Sequence, residues 1–176
     1  LFDMAKKWFG LRERPQLELY AEDARPFLRR TDHRYDAIFV DAYRQPYIPF
    51  YLATREFFEL VRERLAPGGL VIVNVGHPEG GQELERVLGR TMAAAFPRVL
   101  RYPIEETNTL LVAGEGEFSG GRLWANLEAL PAPLWPQARR AAGALEPRLS
   151  GGEVYTDDHA PVEWLIDESL LEYANE

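Results

Sequence analysis

The sequence predicts an α/β fold, doubly wound, with a mostly parallel sheet and an antiparallel C-terminal hairpin. Three observations predict it. Two short apolar runs, Asp36-Ala37-Ile38-Phe39-Val40 and Leu70-Val71-Ile72-Val73-Asn74-Val75, have the near-continuous apolarity of strands covered on both faces. Segments with apolar residues at helical spacing alternate with them. The length, 176 residues, suits one domain with one core.

Taken in order, Phe2 to Phe9 carries apolar side chains at helical spacing and stops at Gly10. Leu17 to Ala21 alternates as a strand does and runs into Glu22-Asp23. Asp23 is placed to cap a short helix, Ala24 to Arg30, in which Pro26 comes early enough for its missing N–H to be harmless. The strand Asp36 to Val40 ends at Asp41, and a loop with Pro46 and Pro49 follows. Thr54 caps a helix running through Leu65, which Pro67-Gly68-Gly69 ends. Leu70 to Val75 is the next strand, and the helix from about Gly81 to Ala95 aligns Leu84, Val87, Leu88, Met92 and Ala95 on one face.

Arg98 to Tyr102 and Thr109 to Ala113 read as two strands joined through Glu105-Glu106-Thr107-Asn108. So short a connection fits an antiparallel pair at the sheet edge. Beyond Gly114 the pattern becomes helical: Gly116 to Gly121 is a loop, Arg122 to Leu130 a helix, and Gln137 to Leu145 a second one. The tail holds Thr156-Asp157-Asp158-His159 and a helix from about Pro161 to Ile166. The expected organisation is a single domain over 1–176, of which 115–176 is a helical extension.

Composition narrows the function. Twelve percent aromatic residues exclude a fully disordered chain, and no apolar stretch approaches the ~18 residues of a membrane-spanning helix. Twenty basic residues against 28 acidic ones give a net charge of −8, which disfavours adsorption to nucleic acid or anionic lipid and suits a cationic small molecule. Without cysteine there is no disulfide, zinc–thiolate site or thiol nucleophile, which fits a reducing, cytoplasmic setting. Leu1-Phe2-Asp3-Met4 reads as the interior of a longer chain and has no signal-peptide shape.

In open α/β sheets ligands sit beyond the carboxyl ends of the strands. Asp41 stands there after a buried run, an expectedly rigid and partly desolvated carboxylate; Glu22 and Asp23 stand after the strand before it. Asp157, Asp158, His159 and Glu163 could ligate a hard cation, but acids preceding Pro161 at a helix start are commoner partners of the helix dipole, so no metal is expected. Neither His33 nor His77 has a serine or cysteine context for a triad, and the four tryptophans suit core or interface.

The run Tyr35-Asp36-Ala37-Ile38-Phe39-Val40-Asp41-Ala42-Tyr43, then Ile48 to Thr54, Glu56-Phe57-Phe58 and Leu65-Ala66-Pro67-Gly68-Gly69, resembles the spermidine synthase-like branch of the Rossmann-fold methyltransferase superfamily. The segment Tyr155 to Glu163 is similar to the closing motif of its bacterial members. The resemblance implies a Rossmann-like domain, usually a homodimer, that moves an aminopropyl group from decarboxylated S-adenosylmethionine to an amine. It implies that Asp41 is the catalytic carboxylate, that Asp23 with Ala24 and Glu22 contacts the nucleoside, and that Tyr43 and Asp157 meet the substrate. The shared scaffold leaves two alternatives, an S-adenosylmethionine-dependent methyltransferase and a non-catalytic domain used for assembly.

The chain departs from the family pattern in three places. Arg44 stands near where those enzymes carry a second aspartate for the diamine. Glu105-Glu106-Thr107-Asn108 replaces a tyrosine-bearing loop. The glycine-rich cofactor loop has no match, because Leu1 aligns just after the strand that follows it; N-terminal strands of the family fold are therefore expected to be missing, leaving 17–21 without a neighbour.

Overall fold

The computed structural model describes residues 2–12, 14–42, 48–77 and 81–167. The chain forms two compact units, Leu1–Arg30 and Thr31–Glu176.

In the first unit, α1 (Phe2–Trp8) follows the expected helical spacing, and Gly10 beyond it has φ +68°. Helix α2 (Ala24–Arg30) starts where expected, with the Arg25 backbone N–H donating to Asp23 Oδ1 at 2.9 Å. The Tyr20 and Phe27 rings lie in tilted contact, with centroids 4.6 Å apart and planes at 48°. The strand expected over Leu17 to Ala21 does not form. Arg14 and Leu17 bridge across a tight turn, and 18–20 have no strand pairing. Alternation supplies a face to bury but not the neighbouring backbone a ladder requires. Glu22 and Asp23 thus follow a loop rather than a strand end.

The second unit is a five-stranded mixed sheet with helices. Its elements are β1 (Tyr35–Val40), α3 (Arg55–Arg64), β2 (Leu65–Gly76), α4 (Glu83–Ala95), β3 (Arg98–Glu105), β4 (Asn108–Gly114), α5 (Gly120–Ala125), α6 (Trp135–Ala144) and β5 (Glu146–Pro147). The strand order is β1-β2-β4-β3-β5. Only β1 and β2 are parallel; the other three pairs are antiparallel, so the described sheet is less parallel than the sequence predicts.

Helix α3 carries β1 back to β2. The Thr54 hydroxyl accepts from the Phe57 N–H at 3.3 Å, the expected cap. The helix stops at Arg64, and β2 begins at once, earlier than Pro67-Gly68-Gly69 led us to expect. Those residues belong to a register break instead: Tyr35 pairs with Leu65, and Ala37 with Leu70. Glycine is needed at 69, where a Cβ would lie 2.8 Å from the Tyr35 carbonyl oxygen.

Val71, Val73 and Val75 of β2 and Leu111 and Ala113 of β4 are buried on one face of the sheet. Phe57, Phe58 and Val61 of α3 and the Leu84-Val87-Leu88-Met92 stripe of α4 are buried with them, each side chain contributing about 1.5–3 kcal/mol. The opposite face is not equally covered. Phe39 of β1 is 74% exposed, which corrects the reading that β1 is buried on both faces. Its physical reason is that little among the described residues packs over that face of β1.

The hairpin forms as predicted through Glu106-Thr107, but β4 is an inner strand and β5, unforeseen, borders β3. Helix α5 begins earlier than read, at a Ser119 cap, and its last turn gives way to a 3-10 turn, Leu127–Ala129. Glu85 and Arg101 form a buried ion pair, with Arg101 Nη2 donating to Glu85 Oε2 at 3.0 Å. Burial opposes the Arg101 charge, but Glu85 and Glu146 more than offset it and raise its pKa. The tail returns to the helices: Arg55 N–H donates to the Tyr155 carbonyl at 2.8 Å, and Tyr155 N–H donates to Thr91 Oγ1 at 3.0 Å. Helical backbone covers 162–167.

Candidate functional site

The parallel β1–α3–β2 unit fixes which end of the sheet carries chemistry. Because α3 runs from beyond the end of β1 back to the start of β2, its N-terminus lies at the end where both strands finish. That is the ligand edge of an open α/β sheet.

Asp41 lies on it, one residue past β1. Val40 pairs with Val73, which sets Asp41 beside Asn74 of β2. The Asn74 Nδ2 donates to Asp41 Oδ1 at 3.0 Å. The carboxylate is exposed rather than partly desolvated, correcting the sequence-based expectation, because the strand it terminates lies at the margin of the described sheet.

Two further carboxylates occupy this end. Thr54, at the N-terminus of α3, donates from Oγ1 to Asp157 Oδ1 at 2.7 Å. The Asp157 N–H in turn donates to Glu56 Oε2 at 3.0 Å. Asp157 is therefore brought to the helix terminus by its side chain and its main chain together. The β3–β4 turn reaches the same edge, since His77 N–H donates to the Thr107 carbonyl at 3.0 Å, and exposed Glu105 and Glu106 come with it. The result is an acidic rim suited to a cation.

Glu22, Asp23 and Ala24 belong to the first unit. Asp23 caps α2 and Glu22 pairs with Arg30, whose pKa Glu22 raises. Tyr43, and Arg44 to Pro46 after it, lie outside the described residues. Among the described residues no cluster of three or more His, Asp or Glu side chains is arranged to hold a metal ion, and no helix is long and apolar enough to cross a membrane.

Sequence reasoning missed Asn74 and Glu56. Asn74 had a signal, an amide interrupting the apolar strand Leu70-Val71-Ile72-Val73. Glu56 reads as an ordinary first-turn acid, and nothing local announces its bond to a residue 101 positions away.

The fold and its acidic ligand edge define a Rossmann-like α/β domain of the type shared by methyltransferases and aminopropyltransferases. Among solved structures, a probable spermidine synthase from Corynebacterium glutamicum superposes with a TM-score of 0.60 at 22% identity, covering 86% of this chain and 61% of that one. Human methyltransferase-like protein 13, in complex with SAH, gives a TM-score of 0.58 at 19% identity, covering 81% and 64%. Residues 2–113 match the spermine/spermidine synthase domain, and the chain belongs to that family. A probable polyamine aminopropyl transferase of Bifidobacterium longum is 37% identical over 95 residues, which are 53% of this chain and 21% of that protein. The chain thus spans about a fifth of the length of that relative.

Proposed function

We propose that the protein transfers an aminopropyl group from decarboxylated S-adenosylmethionine to an amine, with Asp41 as the catalytic carboxylate. The observation that carries this reading is the position of Asp41 at the ligand edge of the parallel pair, in a chain of the spermine/spermidine synthase family.

The chemistry needs what the edge supplies. An alkyl ammonium, with a pKa near ~10, has no lone pair to offer at neutral pH. A carboxylate that accepts one of its hydrogens both orients the nitrogen and takes the proton. The freed lone pair attacks the propyl carbon bonded to sulfur; the new C–N bond forms as the C–S bond breaks. The bonding electrons stay on sulfur, leaving a neutral thioether nucleoside, and the proton passes to Asp41 and then to solvent. Both reactants are cationic, and an edge carrying Asp41, Asp157 and the exposed Glu105 and Glu106 favours their approach.

Asp23, with Glu22 and Ala24, is assigned to the nucleoside. Tyr43 and Asp157 are assigned to the amine. No metal takes part in this scheme. The family relationship is consistent with a homodimer working in the cytoplasm, and we assign 1–176 to one functional domain with 115–176 as its helical extension.

The test is direct. The full chain is incubated with decarboxylated S-adenosylmethionine and a panel of mono- and diamines, and products are read by mass spectrometry. Paired appearance of an aminopropylated amine and the thioether nucleoside supports the assignment. Transfer of methyl from S-adenosylmethionine with no aminopropyl product overturns it.

A further inference from the structure

Asn74 is out of place by the rules of its own strand. The face of β2 that carries it reads Leu70, Ile72, Asn74, and Asn74 pairs with Leu110 on β4. An amide is a poor strand former, and half-burying its polar atoms costs free energy unless partners are supplied. Valine or leucine would suit this position better for packing alone. A residue that breaks the local pattern marks a candidate functional position.

Its partner shows what the amide does. Asn74 Nδ2 holds Asp41 Oδ1 at 3.0 Å, and no other partner of the Asp41 carboxylate is present among the described residues. Asp41 is exposed and sits past the end of a marginal strand, whereas β2 is flanked by β1 and β4. The bond therefore ties a mobile type of side chain to a rigid strand. One carboxylate oxygen is fixed, and Oδ2 is the oxygen left to meet a ligand.

We infer that Asn74 is a positioning residue for the transfer reaction: its amide sets the rotamer of Asp41 so that Oδ2 accepts a hydrogen from the acceptor amine. This role rests on the proposed function. It acts on orientation of the acceptor nitrogen, where a displacement of the order of 1 Å costs roughly 100-fold in rate, and leaves the nucleoside contacts untouched.

The test uses the full chain and two variants. N74D has the same shape but lacks the donor; N74L suits the apolar row and lacks both polar atoms. Each is checked by circular dichroism and melting, and N74D carries the test alone if N74L is unstable. The expected result is a kcat lower by about 10- to 100-fold in both, with KM for the nucleoside donor unchanged, and partial recovery in N74Q. A purely structural role predicts that folded N74D keeps the original kcat, and that result overturns the inference. The two readings fail separately. Absence of turnover in the unaltered chain contradicts the proposed function and takes this role with it, whereas normal turnover in N74D contradicts the role of Asn74 alone.

Discussion

The Thr54 hydroxyl donates to Asp157 Oδ1 at 2.7 Å, joining two residues 103 positions apart in the chain. The same oxygen of Thr54 accepts from the Phe57 N–H, so a single hydroxyl caps α3 and anchors the C-terminal segment.

Replacing Thr54 by alanine removes both bonds. The expected loss is about 1–2 kcal/mol, the range for a strong N-cap, and T54S recovers most of it. Urea denaturation of the two variants measures the difference.

Asp157 has a structural bond and an assigned role toward the amine, and the two are separable. D157N keeps an acceptor oxygen for Thr54 but loses the charge. If Asp157 also meets a cationic acceptor, D157N raises the amine KM severalfold while the melting midpoint stays in place. An unchanged KM removes Asp157 from the substrate assignment.

Glu85 is buried against Arg101, whose side chain is 10% exposed. E85A leaves the largely buried guanidinium with only the half-exposed Glu146 as an acidic partner and is expected to cost up to about 3 kcal/mol, whereas E85L combined with R101M costs less than E85A alone. Chemical denaturation of the single and double variants reads this asymmetry.

Tyr155 is buried, which pushes its phenol pKa upward from 10.0, with Glu153 and Glu83 adding to the effect. Above pH ~10 the unfolded chain releases this proton while the folded chain holds it. Tyr155 therefore contributes stability that is fully present below the unfolded value and is lost as pH rises toward the folded one. Y155F is expected to flatten the alkaline decline in melting temperature between pH 9 and 11, roughly the window around a free tyrosine.

Much of this architecture was legible in the residues themselves. The α4 stripe, the Asp23 and Thr54 caps and the β3–β4 hairpin follow from local spacing and capping chemistry, and the structure has each of them. Two readings that depend on a neighbour failed. Leu17 to Ala21 has the alternation of a strand, but beyond the Arg14–Leu17 bridge it pairs with no strand among the described residues, and Phe39 has the apolarity of a core residue but lies on an uncovered face. The site divides the same way. Asp41 could be found from its place after an apolar run, whereas the Asn74 bond depends on the β1–β2 register, which puts residues 33 positions apart side by side.

The central claim is that the Asp41 carboxylate does the work at the edge of the parallel pair, and D41N tests it most directly. The asparagine keeps the shape of the side chain but cannot take a proton. The account predicts that aminopropyl transfer falls by at least about 100-fold, the scale of a general base. The rise in melting temperature on adding the nucleoside donor should persist, since that ligand still binds the folded state. Turnover by D41N equal to that of the unaltered chain contradicts the account.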